Sequence, residues 1–98
     1  MIYATLTKTN LPCAYGYFRD KVVPPYLVYI GRGQTTLGAD DTWYYRDNQY
    51  QVEYYFIKKD EAKEKLIEDT LLADGYNYDK SEDIYMETEG LFVIYYYI

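Results

Sequence analysis

The sequence predicts an α+β fold: a small, mostly antiparallel sheet of about four to six strands with one amphipathic helix packed on one face. Runs of aromatic and β-branched residues, separated by Gly, Pro and charged residues, recur along the chain and are typical of strands. One segment, residues 60–74, instead repeats its apolar residues with the period of a helix. A chain of 98 residues is sufficient for one domain, which we place at 1–98.

Residues 1–24 are predicted to form an extended arm or loop that precedes the core at 25–98. Ile2, Ala4 and Leu6 alternate with Tyr and Thr, which favours a short strand. Pro12 then interrupts this pattern, because proline has no backbone N–H to donate. We therefore expect no helix in this region.

The first well-marked strand is predicted at residues 26–30, where Pro24 and Pro25 fix an extended entry and Gly31 is expected to end the run. Residues 32–42 then have the composition of a loop, rich in glycine and aspartate. We expect this loop to be mobile and to dock on a partner. The residues assigned to the docking loop are Arg32, Gly33, Asp40 and Asp41.

A hairpin is predicted after this loop. Residues 43–45 form its first strand, residues 46–49 its turn and residues 50–57 its second strand. In the second strand the polar residues Gln51 and Glu53 alternate with apolar ones, which indicates a side that faces solvent.

Residues 60–74 form the single predicted helix. Asp60 can cap its N-terminus, Glu61 lies at the positive end of the helix dipole, and Gly75 can end the helix in the left-handed conformation. A helical wheel groups the apolar residues on one face and places Lys63, Glu64, Glu68 and Asp69 mostly away from it. The residues on the apolar face are Ala62, Leu66, Ile67, Thr70, Leu71 and Ala73.

The chain closes with a second predicted hairpin, in which residues 84–87 lead through a turn at 88–90 into a strand at 91–98. Successive side chains of a strand point to opposite sides of the sheet, so both faces of this last strand are apolar. One face is expected to lie under the helix. The other face needs a cover, which either the N-terminal segment or another copy of the protein must supply.

Composition narrows the classes of function. The chain has 16 acidic and 10 basic residues, and its net charge of −6 argues against general binding to the phosphate backbone of nucleic acids. Tyrosine accounts for 16 residues, beside three Phe and one Trp. Because tyrosine combines a large apolar ring with a polar tip, this excess favours a surface that is buried on association. A tyrosine-rich strand core is the alternative interpretation.

We predict no catalytic, cofactor-binding or metal-binding residues. The chain has no His, and its single Cys13 has neither a neighbouring base nor a second cysteine, so we interpret Cys13 as structural and the compartment as reducing. The N-terminus lacks the apolar run of a signal peptide or membrane span, so no membrane association is expected. Five acidic residues do not follow the spacing of a calcium loop, and we expect them on a solvated surface. They are Asp79, Glu82, Asp83, Glu87 and Glu89.

Four stretches together carry a resemblance to a known class of proteins: LPCAYGYF, PPYLVYIG, ADDTWYYRDNQYQVEYYFIKKD and GYNYDKSEDIYMETEGLFVIYYYI. This arrangement resembles small tail completion or tail terminator proteins, which join head and tail in tailed bacteriophages and prophages of Gram-positive bacteria. The resemblance covers almost the whole chain, although its motifs are structural patterns. Members of this class form a ring, usually hexameric, that caps the tail tube and docks it to the neck.

The resemblance implies a non-enzymatic virion protein at the tail-neck junction, assembled in the host cytoplasm. Its partners would be sister copies, the tail tube protein and neck or connector proteins, with DNA only passing through the lumen of the ring. Two alternatives stay open: a head-side connector, and a small acidic inhibitor that binds a host protein. The residues predicted to form the oligomer or partner interface are Trp43, Tyr44, Tyr45, Tyr95, Tyr96 and Tyr97.

Overall fold

The structure is a computed structural model that describes the backbone of residues 1–38 and 44–98 and the side chains of residues 1–34 and 48–98. The predicted α+β class is confirmed, since the described residues form one six-stranded, mostly antiparallel sheet and two helices. The elements in chain order are α1 (Ile2–Thr7), β1 (Cys13–Tyr15), β2 (Tyr26–Gly38), β3 (Tyr44–Phe56), α2 (Glu61–Ala73), β4 (Asp79–Lys80), β5 (Ile84–Met86) and β6 (Leu91–Tyr97).

The closing strand β6 lies inside the sheet. The strand order is β1-β2-β3-β6-β4, and β5 also pairs with β6. The short strands β4 and β5 therefore share one side of β6: β4 pairs with its C-terminal end and β5 with its N-terminal end. Among the strands of the described residues, only β1 and β2 run parallel to each other. The predicted C-terminal hairpin is confirmed, with β5 and β6 joined through Gly90 at a φ of 66°.

Both helices pack on the same face of the sheet and bury its alternate residues. Tyr54 of β3, Tyr96 of β6 and Leu71 of α2 are each no more than 1% exposed. The aromatic part of this core is continuous, because the Phe56 ring stacks on Tyr54 and on Phe92 with centroids 5.1 and 5.5 Å apart. The buried residues of the core are Ile2, Leu6, Leu27, Val52, Tyr54, Phe56, Ile67, Leu71, Ile94 and Tyr96.

The strand predicted at the N-terminus is wrong, because residues 2–7 form the helix α1. Ile2 and Leu6 are four residues apart, which places both on one side of a helix, where they enter the core. Thr5 between them is 1% exposed and donates its hydroxyl to the carboxylate of Asp74 at 2.6 Å. Lys8 forms an ion pair with the same carboxylate at 2.8 Å. Contacts with the end of α2 thus override the weak local preference for a strand.

The loop expected at residues 32–38 and the turn expected at 46–49 are also wrong. Strand β2 continues through Gly31 to Gly38, and β3 runs without interruption from Tyr44 to Phe56. The pairing shifts between Gly31 and Gly33, a β-bulge that Gly33 permits with a φ of 101°. Glycine and polar residues suggested a loop, but a ribbon that extends beyond the core needs no buried face, so it lacks the alternation by which strands are recognised.

The capping of α2 is confirmed. The Asp60 side chain accepts hydrogen bonds from the backbone N–H groups of Ala62 and Lys63 at 3.1 and 3.3 Å. Gly75 follows the helix with a φ of 87°. Of the predicted apolar face, Ile67 and Leu71 are buried as expected, whereas Ala62, Leu66 and Ala73 are exposed and were assigned wrongly.

The prediction that Glu64 faces away from the core is wrong. Its side chain is 3% exposed, and its carboxylate pairs with Lys59 at 2.7 Å and with Lys80 of β4 at 2.8 Å. Lys80 also pairs with Glu68 at 2.8 Å, and Glu68 accepts a hydrogen bond from the Tyr96 hydroxyl at 2.7 Å. These contacts tie the edge strand β4 to the helix, and two cations neutralise the buried charge of Glu64.

The Glu68 carboxylate carries a perturbed pKa. Burial raises the pKa of Glu68, but the hydrogen bonds from Lys80 and Tyr96 outweigh burial and hold it below its ordinary value of 4.5. Glu68 is therefore ionised at neutral pH. Its contribution to stability is present above pH 4.5 and declines as the pH falls through its lowered pKa.

We expect Asp60→Ala to lower the free energy of unfolding by about 1 kcal/mol, because two N–H groups of the first turn of α2 lose their acceptor. Urea unfolding followed by circular dichroism measures this change. Asp60→Ser is the matched control, since serine is also a good cap and should keep most of the stability. Equal losses in both variants would contradict a capping role.

Candidate functional site: a tyrosine face and a hairpin arm

The sheet has a second face, on the side away from the helices. Its residues alternate with those of the core, and the strand register brings Val28, Glu53 and Tyr95 into one row across β2, β3 and β6. The neighbouring row contains Tyr26 and Tyr55. We call this surface the tyrosine face and define it by the four tyrosines that surround Glu53, which are Tyr26, Tyr55, Tyr95 and Tyr97.

Aromatic rings form two stacked pairs on the tyrosine face. Tyr26 stacks on Tyr55 with centroids 5.1 Å apart and an angle of 23° between the rings. Tyr95 stacks on Tyr97 at 6.2 Å and 27°. The guanidinium of Arg32 lies 4.8 Å from the centroid of the Tyr97 ring, within the range of a cation–π contact. The face thus already binds one arginine of its own chain.

Glu53 lies between these two pairs and is 7% exposed. Its carboxylate accepts a hydrogen bond from the Tyr55 hydroxyl at 2.6 Å and another from Nε2 of Gln51 at 2.8 Å. Within residues 1–34 and 48–98, no Lys or Arg side chain lies within 4.0 Å of the Glu53 oxygens. The tyrosine face therefore holds a buried carboxylate that neutral donors satisfy and that has no ion-pair partner in this part of the chain.

Tyr26, Tyr55 and Tyr95 of the tyrosine face have raised pKa values. Burial raises the pKa of Tyr55 most, and the hydrogen bond to Glu53 raises it further. For Tyr26 the causes are burial, then the charges of Glu89 and Glu53. For Tyr95 the causes are burial and the charge of Glu53, among smaller ones. These hydroxyls remain protonated at neutral pH, so the rings stay neutral.

The N-terminal segment covers part of the tyrosine face. Residues 16–22 cross it above Tyr26 and Tyr55, and the Phe18 ring packs edge-on against Tyr26 at 5.2 Å. An open cleft of about 320 Å³ remains between this segment and the sheet. Tyr95 and Tyr97 lie outside this cleft and are partly exposed. The N-terminal segment therefore covers the tyrosine face over β2 and β3, and these contacts do not extend to β6.

A hairpin arm extends the β2–β3 ladder beyond the other strands of the sheet. We define it as residues 34–38 of β2 and 44–48 of β3, which pair with each other over five rungs, a length of about 17 Å. Within the described residues no third strand borders these rungs, because β1 pairs with β2 only as far as Tyr29 and β6 pairs with β3 only as far as Gln51. The molecule accordingly measures 51 × 26 × 25 Å.

The radius of gyration reflects this projection. It is 15.0 Å, against about 13 Å for a compact domain of this length.

At the base of the arm, Nε2 of Gln34 donates a hydrogen bond to the side-chain oxygen of Asn48 at 2.8 Å. The β-bulge at Arg32 adjoins this rung, so the arm begins where Arg32 turns onto the tyrosine face.

The residues predicted for the interface lie in three different parts of the molecule or outside the described residues. Tyr95 and Tyr97 lie on the tyrosine face, as an interface role requires. Tyr96 points the other way, is fully buried and packs under α2, so the prediction for Tyr96 is wrong. Tyr44 and Tyr45 lie at the far end of the arm, where their backbones pair with β2. Trp43 lies outside the described residues.

The docking loop is only partly located. Arg32 and Gly33 belong to the strand β2 and its bulge, so the prediction of a loop at these two positions is wrong. Asp40 and Asp41 lie outside the described residues. Arg32 nevertheless lies on a candidate docking surface, because its side chain stacks on Tyr97.

Three residues of the tyrosine face were missed by sequence reasoning. Tyr26 and Tyr55 carried no signal beyond the general excess of tyrosine. Glu53 was expected on a solvent-facing side, but it is buried between the tyrosine pairs. The one available signal was its position, since Glu53 is a single carboxylate inside a run of aromatic and aliphatic residues.

The structure adds little that points to catalysis. Burial raises the pKa of the Cys13 thiol to about 11, so the thiol is protonated and weakly nucleophilic at neutral pH. In the described part of the chain, no three Cys, Asp or Glu side chains gather around a point that could hold a metal ion. No helix among the described residues is long and apolar enough to span a membrane.

Comparison with known proteins adds no family assignment, since no protein-family model matches the sequence and no curated protein matches it significantly.

We expect Glu53→Gln to shift the ionisation of Tyr55 to lower pH, because the substitution removes a negative charge while burial of the ring persists. Protein labelled with ¹³C in its tyrosine rings allows each hydroxyl to be titrated by NMR.

Since the folded pKa values of Tyr26, Tyr55 and Tyr95 lie above 10, the stability they confer is complete below pH 10 and declines as the pH rises further.

Glu82→Gln is the control for this titration, because Glu82 is exposed and the substitution removes the same formal charge. The same titration curve for Tyr55 in the wild type and in Glu53→Gln would show that Glu53 does not act on this ring.

Proposed function

We propose that the protein is a structural subunit of a phage virion, which forms a ring, hexameric in its expected state, at the junction of tail and neck. In this role it terminates the tail tube and presents a docking surface to the neck. The single observation that carries the proposal is the hairpin arm, a two-stranded ribbon that extends past every neighbouring strand of the described sheet.

The arm favours assembly for a physical reason. A two-stranded ribbon is marginally stable in water. The unpaired backbone N–H and C=O groups at an exposed strand edge can form hydrogen bonds with a strand of another chain. A neighbouring copy that borders the arm would supply both hydrogen-bond partners and packing. If the arm contacts a different surface of the next copy, repetition of this contact gives a closed ring when the rotation between copies divides a full turn.

Two further observations support a place in a virion. The tyrosine face is only partly covered by residues 16–22, which leaves Tyr95 and Tyr97 as aromatic contacts for a partner. The net charge of −6 suits a ring through which DNA passes without being held by its phosphates. The sequence resemblance to tail completion proteins identifies which kind of ring we propose.

The arm can be removed without touching the core. Replacing residues 36–46 by Asn-Gly joins Thr35 to Asp47, which face each other in the register, through a two-residue hairpin turn. Native mass spectrometry should show multiples of the 11.7 kDa chain for the wild type and a monomer for the shortened variant. Lys65→Gln, on the exposed surface of α2, is the control and should oligomerise normally.

Thermal unfolding of the shortened variant checks that its body is intact, and we expect little change because no core residue is altered. A wild-type protein that stays monomeric at every concentration, or a shortened variant that still assembles, would contradict the role of the arm.

The place in the virion requires a second experiment. Purified tail tube protein of the same virus polymerises into tubes whose lengths electron microscopy can measure. We expect the wild-type protein to bind one end of the tubes and to stop their growth, and the shortened variant to lose this effect. Binding to neck or portal proteins with no effect on tubes would assign the protein to the head side instead.

A further inference from the structure

We infer that the tyrosine face is a docking site for an arginine side chain of a basic partner protein, with the guanidinium held between the partly exposed rings of Tyr55 and Tyr95 above Glu53. This inference rests on the proposed role of the tyrosine face as a docking surface and specifies the chemistry of its partner. It concerns a different protein and not a second copy of the chain.

The charge of Glu53 supports a cationic ligand. The carboxylate is 7% exposed, and its two hydrogen bonds come from the neutral groups of Tyr55 and Gln51. A buried carboxylate is more stable with a cation nearby than with neutral donors alone. The helix side of the same sheet provides the comparison, since the buried Glu64 there has Lys59 and Lys80 within 2.8 Å.

The rings support a planar cation. Tyr55 and Tyr95 flank Glu53, and both are partly exposed. Neutral tyrosine rings attract a cation over their faces, and a guanidinium also stacks on them because it is flat and weakly hydrated. Their hydroxyls remain protonated at neutral pH, as described above, so the rings keep this property under ordinary conditions.

Arg32 demonstrates this mode of binding within the molecule. Its guanidinium lies 4.8 Å from the ring of Tyr97, which stacks on Tyr95. The site above Glu53 is thus adjacent to a position where the face already holds an arginine. Arg32 forms no ion pair with Glu53, so the carboxylate has no cationic partner among the described side chains.

Charge favours a foreign partner over a second copy. The chain carries −6, and the charged residues in and around the tyrosine face are three carboxylates, Glu53, Glu89 and Asp20, against two cations, Lys21 and Arg32. Two such faces would repel each other, whereas a basic surface is attracted. The ring proposed above uses the arm for contacts between copies, which leaves this face for another protein.

The test uses the full chain with ¹³C-labelled tyrosine rings and the blocked peptide acetyl-Gly-Arg-Gly-amide as the probe. We expect saturable shifts of the Tyr55 and Tyr95 resonances, with a dissociation constant of about 1 mM, a strength suited to one side chain. The citrulline peptide has nearly the same shape without the charge. It should bind at least about tenfold more weakly, because it lacks the charge-assisted contact.

Variants then locate the site. Glu53→Gln should weaken binding of the arginine peptide about tenfold, whereas Glu82→Gln removes an exposed charge elsewhere and should have no more than a small effect. Equal binding of the arginine and citrulline peptides, or equal weakening by the two substitutions, would overturn the inference. Shifts that do not saturate, or that spare Tyr55 and Tyr95, would do the same.

The comparison of the two peptides uses the wild-type protein, so it remains decisive if Glu53→Gln fails to fold. The result is also separate from ring formation, since the peptide binds a surface that the arm does not contribute. A protein that forms rings but ignores the arginine peptide would retain the proposed function and lose only this inference.

Discussion

The need to remove both faces of β6 from water governs the rest of the structure. This strand is apolar on both sides and lies inside the sheet, so each side must be covered by other parts of the molecule or by a partner. The helices α1 and α2 lie on one side, where Ile94 and Tyr96 are fully buried and Phe92 is partly buried. On the other side Val93 is buried, while Tyr95 and Tyr97 are only partly covered.

Each face of the sheet holds a carboxylate that accepts a hydrogen bond from a tyrosine, but the two carboxylates differ in their ion-pair partners. On each face a carboxylate accepts a hydrogen bond from a tyrosine hydroxyl: Glu68 from Tyr96 under the helix, and Glu53 from Tyr55 on the tyrosine face. Glu68 also pairs with Lys80, which completes the charge balance within the chain. Glu53 has no such partner among the described residues. The carboxylate charge under the helices is therefore balanced within a single copy. The charge of Glu53 on the tyrosine face would be stabilised by a cation from a partner.

The hairpin arm and the tyrosine face meet at the β-bulge, which gives Arg32 a part in both. The bulge turns the guanidinium of Arg32 onto Tyr97 and marks the point where β2 and β3 leave the sheet. In the proposed ring, one surface would contact sister copies and the other a different virion protein. Arg32 lies at the base of the arm and stacks on Tyr97 of the tyrosine face. Binding of a partner to either surface would therefore change the surroundings of Arg32.

The sequence by itself determined the elements whose signals are local. The cap at Asp60, the helix that follows it, the glycine stop at Gly75 and the closing hairpin all depend on neighbouring residues, and each was predicted correctly. The doubly apolar character of β6 was also readable, since alternation along a strand assigns its side chains to faces without further information. It led to the expectation that each face of the strand needs a cover.

Only the tertiary structure decided the features that depend on distant contacts. Helix α1 forms because Ile2 and Leu6 pack into the core and because Thr5 and Lys8 bind Asp74. The buried position of Glu64 depends on lysines from two other segments, and the length of β2 and β3 depends on pairing between polar residues. Glu53 joins tyrosines from three strands that are far apart in the chain. Such sites arise from the sheet register, which the folded backbone sets.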